Sequence, residues 1–142
     1  MDFISAQTRV VETGVPCIGV DGWEQIFIDA EIAEDKGDYS LSTVSFAIVR
    51  ADDGRPAKHP FSIDAAGQDA MLALYAQRHE AGDEITGFDL TIEPHDRFRF
   101  RFSHDEPKRA LGKWDAAKAA RLQNYLEQYD KAGRQEGRHD RR

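Results

Sequence analysis

The stretch that decides the fold is Arg97-Phe98-Arg99-Phe100-Arg101-Phe102, three arginines alternating with three phenylalanines. A strand sends successive side chains to opposite faces, so this pattern makes one face aromatic and the other cationic. A helix would not separate the two sets. Residues 85–93 alternate in the same way, with Thr86, Phe88, Leu90 and Ile92 set against Gly87, Asp89, Thr91 and Glu93. Pro94-His95-Asp96 breaks the two runs apart and reads as a turn. A three-residue loop there puts Glu93 opposite Arg97, Thr91 opposite Arg99 and Asp89 opposite Arg101. It also puts Ile92, Leu90 and Phe88 opposite Phe98, Phe100 and Phe102. A two-residue loop of His95-Asp96 would set Glu93 against Phe98 and mix the faces. The pattern itself therefore specifies the register. It implies a half-buried antiparallel sheet with a charged outer face.

The same period runs through the first half of the chain. Ile26, Ile28, Ala30 and Ile32 alternate with Gln25, Asp29 and Glu31, and Phe27 is the exception on the polar side. Lys36-Gly37-Asp38 reads as a hairpin turn, and Tyr39 to Arg50 as the returning strand. Residues 58–62 read as a loop, with two prolines, Pro56 and Pro60, in the wider Arg55–Pro60 stretch. Helices are expected over 2–13, capped by Asp2 or Ser5, and from Ser62 or Asp64 to about Gly82. A last helix is expected over 113–132. Its apolar stripe is Leu111, Trp114, Leu122, Tyr125, Leu126 and Tyr129, and Gly133 supplies a stop. The expected fold is α+β: an antiparallel four-stranded sheet in α-β-β-α-β-β-α order, with helices packed on one face and water on the other. Residues 1–133 form one domain in this reading, and 134–142 a basic, disordered tail.

Composition limits the classes of function. The chain has 142 residues, enough for one domain with a core that needs no disulfide staples. Cys17 is its one cysteine, which excludes an internal disulfide and a cysteine-based zinc site. No apolar run approaches the roughly 20 residues of a membrane span, and the N-terminus lacks the pattern of a secretory signal. A cytoplasmic location and no membrane partner are expected. The net charge of −7 is unevenly spread. Residues 1–96 hold 19 Asp and Glu against 6 Lys and Arg, whereas residues 97–142 hold 7 against 13. The two halves can neutralise each other across the sheet, or they can leave an acidic patch for a basic partner. Nucleic-acid binding by the acidic portion is not expected, because phosphates are met by Lys and Arg.

Catalytic motifs are missing from the sequence: no Gly-rich phosphate loop, no His-Glu-x-x-His helix and no Gly-x-Ser-x-Gly elbow. The five histidines make no recognised metal-ligand spacing. His104-Asp105 resembles a pair found in metal phosphohydrolases, although a polar strand end gives the same dipeptide. Asp29, Glu31, Glu34, Asp35 and Asp38 gather near the first hairpin, with Asp29 and Glu31 expected on the solvent face. Phe27 on that face adds an apolar centre within charge, the composition of many protein interfaces. The candidate partner-binding residues are therefore Phe27, Asp29, Glu31, Asp89 and Glu93.

The order of these pieces resembles the YezG-like immunity family of bacterial polymorphic-toxin systems. The resemblance runs from about residue 3 to residue 129. It rests on an N-terminal helix, Gly22-Trp23-Glu24 opening a strand through Ile28-Asp29-Ala30-Glu31, and a central helix with Leu72, Leu74 and Tyr75. The late strand Arg99-Phe100-Arg101-Phe102-Ser103-His104-Asp105 and a Trp-containing last helix, Trp114 to Tyr129, complete it. His104 stands where the family often has tyrosine, and both the Arg-Phe alternation and the basic tail are stronger here. The resemblance implies a cytoplasmic protein that binds and neutralises a cognate toxin, often a nuclease, with no enzymatic activity and no cofactor. Two readings from other classes stand beside it. One is a small metal-dependent or acid/base enzyme with a site around His104, Asp105 and the acidic hairpin. The other is a homodimer or larger homo-oligomer joining the arginine face of one copy to the acidic face of another.

Overall fold

In the computed structural model, the Arg-Phe alternation forms the expected hairpin. Strands β4 (Gly87–Glu93) and β5 (Arg97–Ser103) pair antiparallel with Glu93 opposite Arg97, Asp89 opposite Arg101 and Ile92 opposite Phe98. The three-residue loop holds His95 and Asp96 at φ 68° and 60°, a left-handed conformation that short polar residues tolerate. The structure describes residues 2–133 in full and only the backbone of 134–140. The tail expected over 134–142 lies outside the fully described residues.

The chain order begins with α1 (Phe3–Gly14), β1 (Gln25–Asp35), β2 (Asp38–Arg50) and β3 (Pro56–Pro60). It continues through α2 (Ala65–Glu80) and the β4–β5 hairpin to α3 (Ala116–Gln123) and α4 (Tyr125–Asp140). The class is α+β with an antiparallel sheet, as expected. The sheet, however, has five strands in the order β3-β2-β1-β4-β5. The added strand is β3, Pro-Ala-Lys-His-Pro, whose second half, residues 58–60, falls in the 58–62 stretch read from sequence as a loop. Proline is compatible with a strand at an edge or a strand end, and β3 is both short and at an edge. The β1–β2 turn is two residues, Lys36 and Gly37, both at positive φ, which matches the twist of a tight hairpin.

The inner face of the sheet carries Ile26, Ile28, Ala30, Ala47, Phe88, Leu90 and Ile92. These pack against Ala6 and Val10 of α1 and Ala70, Met71 and Leu74 of α2. Asp2 caps α1 through Ser5 N, and Asp64 caps α2 through Gly67 N. Gly87 allows β4 to close on β1, because a Cβ there would collide with the Ala30 carbonyl oxygen.

Helices do not stay on one face. Leu122, Tyr125, Leu126 and Tyr129 of α3 and α4 pack on Phe27, Phe46 and Ile48 on the outer face. The expectation of one-sided burial is corrected: the central strands are covered on both sides. The reason is apolar. Phe27, Phe46 and Ile48 make a greasy patch on the outer face, and the helical stripe of 122–129 is the only long apolar stripe left in the sequence to cover it. The single helix expected over 113–132 is two, divided at Asn124. Leu111 and Trp114 precede it and are exposed, Trp114 to 79%, so neither joins the core as expected.

Candidate functional site

Strand geometry sends Phe27, Asp29 and Glu31 to the outer face, as their spacing requires. They do not reach solvent there. The segment 104–129 crosses over them, and Asp29 and Glu31 are only 2% and 3% exposed. Their placement on the solvent side is therefore corrected.

Three cations from that segment account for the burial. Arg109 Nη2 donates to Asp29 Oδ1 at 2.9 Å and to the Asp29 carbonyl at 3.0 Å. Its Nε donates to Ser42 Oγ at 2.7 Å, and its backbone N–H to Glu31 Oε1 at 2.8 Å. Lys118 Nζ bridges both carboxylates, 2.6 Å from Glu31 Oε2 and 3.2 Å from Asp29 Oδ1. Arg121 Nη2 adds a third contact to Asp29, at 3.6 Å. A buried carboxylate is tolerated only when paired and hydrogen-bonded, and here both are. Burial pushes the Glu31 carboxyl up. The Lys118 hydrogen bond and the charges of Lys118 and Arg109 outweigh it and hold the group below its ordinary value.

An aromatic cluster adjoins the ionic one. Tyr125 packs on Phe27 and Phe46, with ring centroids 4.6 and 5.3 Å away. Its hydroxyl donates to Gln25 Oε1, and that of Tyr129 to Glu24 Oε1. Burial pushes both phenols up to about 12. Phe27 is thus a core residue, not an exposed centre of an interface.

Asp89 and Glu93 remain on less covered ground. Glu93 pairs with Arg97 at 3.1 Å. Asp89 is half-buried, with Asp29 opposite it on one neighbouring strand and Arg101 on the other. Burial raises the Asp89 carboxyl, aided by Asp29 and opposed by Arg101, Arg121 and Lys118. It lines a cavity of about 720 Å³ whose wall includes Arg101, His104, Asp105, Lys118 and Arg121. His104 Nε2 lies 2.6 Å from Asp83 Oδ1. Among the described residues, no group of three or more His, Cys, Asp or Glu is placed to hold a metal ion. Glu34, Asp35 and Asp38 stay exposed at the tip of the first hairpin.

The sequence reading missed Arg109, Lys118 and Arg121. One signal was present: Lys118 lies four residues before Leu122, so it extends the stripe of Leu122, Tyr125 and Tyr129 by one turn. Asp29 and Glu31 are closed off by the chain's own cations.

What remains open is the far edge. Among the described residues β5 pairs with β4 alone, so alternate backbone N–H and C=O groups face outward from the sheet. Arg97, Arg99 and Arg101 are exposed on it, and Phe98 is 40% exposed. Arg99 and Arg101 make no hydrogen bond or ion pair among the described residues. No helix among the described residues is long and apolar enough to cross a membrane. No protein-family model matches the chain, and no curated protein matches it.

Proposed function

We propose that this chain is a non-catalytic protein that binds and neutralises a cognate bacterial toxin, the function its YezG-like resemblance implies. The observation that supports it best is β5, an edge strand carrying three exposed guanidiniums and a half-exposed phenylalanine. Aromatic and arginine side chains, here on the two faces of one edge strand, are enriched at the energetic centres of protein interfaces. The contact moves in this reading from Phe27, Asp29 and Glu31 to the β4–β5 hairpin, where Asp89 and Glu93 stand behind the arginines. The test is growth. Cells producing a toxin module taken from the neighbouring genes recover when the chain is co-produced, and a purified mixture of the two elutes as one complex. A toxin that stays active, with no complex, contradicts the proposal.

A second reading has one observation of its own. The raised Asp89 carboxyl faces a charged cavity beside His104 and Asp105, an arrangement suited to acid/base chemistry on a small molecule. Turnover of a phosphate ester, glycoside or carboxylic ester that disappears in Asp89→Asn supports it. Absence of turnover across such a panel counts against it.

A further inference from the structure

The two edges of the sheet are built differently. β3 is five residues long, begins and ends with proline, and has Lys58 tied to the Leu122 carbonyl of α3 at 2.6 Å. Those features blunt an edge against further pairing. β5 is seven residues long, contains no proline, and is paired on one side only. Its only regular deterrent is the arginine at every second position.

That deterrent is selective. Antiparallel self-pairing of two β5 strands about Phe100 would set Arg99 against Arg101 of the second copy, twice. Like charges directly opposite on neighbouring strands repel. A strand with carboxylates at alternate positions gains instead, because each faces an arginine. Arg97 already has Glu93 and Arg101 faces the half-buried Asp89, but Arg99 faces Thr91 and has no acidic neighbour across the ladder. Nucleic acid fits the edge less well. A phosphate backbone cannot donate to the outward C=O groups, and Phe98 and Phe100 lie on the face opposite the arginines, so stacking and phosphate contact would not converge.

We infer that β5 takes up an extended, carboxylate-bearing segment of the protein partner as a sixth strand, with Arg99 and Arg101 opposite its Asp or Glu side chains and Phe98 and Phe100 beside its apolar ones. The inference rests on the binding function proposed above and supplies its mode, strand addition. It also fixes the partner's chemistry. The segment captured is acidic, so it lies outside any basic phosphate-binding groove the toxin uses.

The probes are three end-blocked nonapeptides: one alternating Glu and Val, one alternating Lys and Val, and the Glu–Val sequence with proline at its centre. Titration calorimetry and amide spectra of the full chain read the result. The Glu–Val peptide binds, protects the outward amides of β5, and weakens as salt rises. The proline peptide does not bind. Arg99→Glu, an exposed change that leaves the core untouched, lowers affinity for the Glu–Val peptide about tenfold or more and shifts preference to the Lys–Val peptide. Failure of all three peptides overturns the inference. So does equal binding of the proline peptide, self-association through β5, or tighter binding of a single-stranded oligonucleotide at the same strand. Growth rescue separates this from the broader proposal. Rescue that persists undiminished in Arg99→Glu rejects strand addition and keeps neutralisation. Peptide binding without rescue by the wild-type chain keeps strand addition and rejects neutralisation.

Discussion

Lys118 Nζ sits 2.6 Å from Glu31 Oε2, a buried bond between residues 87 positions apart that holds α3 on the outer face of the sheet. Removing Glu31 leaves Lys118, Arg109 and Arg121 to share the single carboxylate of Asp29, a charge imbalance in a buried cluster that costs more than the intact pair contributes. Glu31→Ala also strips the acceptor from the Arg109 backbone N–H. The expected loss is about 3 kcal/mol of unfolding free energy, read from urea denaturation. A loss below about 0.5 kcal/mol, the range of ordinary surface substitutions, would contradict the buried cluster.

The pH dependence has a sign that follows from the two shifted carboxyls. Glu31 is held below its ordinary 4.5 in the folded chain. Its contribution is present above pH 4.5 and is lost as pH falls through the lower folded value. Asp89 is raised above its ordinary 3.8, so the folded state binds that proton more tightly and stability declines as pH rises from 3.8 through the folded value. Two outcomes follow in thermal melts. Glu31→Gln flattens the acid limb of the stability profile. Asp89→Asn is no less stable than wild type at neutral pH, and a marked loss there would refute the assignment of burial as the cause of its shift.

Much of this was legible because period two is unambiguous when unbroken. In Arg97 to Phe102, every residue votes for the same face, so the β4–β5 register follows from the pattern and a three-residue loop. β3 was hidden because Pro-Ala-Lys-His-Pro has neither alternation nor β-branched residues, and its strand character comes from pairing with β2. Asp29 and Glu31 look like solvent positions to any local window. Their partners, Arg109 and Lys118, are 78 to 89 residues downstream. The unequal charge of the two halves did carry the information, but composition does not say which cation meets which carboxylate. Trp114 failed for another reason. It fits a helical stripe by spacing, yet α3 starts at Ala116 with Asp115 as its cap, so the stripe ends before the tryptophan.

That boundary has a consequence for two aromatics of the same segment. Trp114→Ala is expected to shift unfolding free energy by no more than about 0.5 kcal/mol. Tyr125→Ala removes a ring packed on Phe27 and Phe46 and is expected to cost about 3 kcal/mol. Chemical denaturation followed by circular dichroism separates them. Equal losses would mean that 113–132 is one helix with Trp114 buried.

Gly87 tests how closely β1 and β4 approach. Gly87→Ala drives a methyl into the Ala30 carbonyl and must part the strands locally, at about 1–3 kcal/mol. Amide exchange quickening at Ala30, Glu31 and Phe88, with β2–β3 unaffected, is the expected signature.

The central claim is that the outer acidic stripe is closed by the chain itself while β5 is left open for a partner. Hydrogen exchange of individual amides tests it most directly. In the free chain, the amides of β1 exchange only through global unfolding, and the outward amides of β5 exchange fast. Adding the alternating Glu–Val peptide slows those β5 amides and leaves α3 unchanged. Protected outward amides of β5 in the free chain, or release of α3 when the peptide binds, would contradict the account.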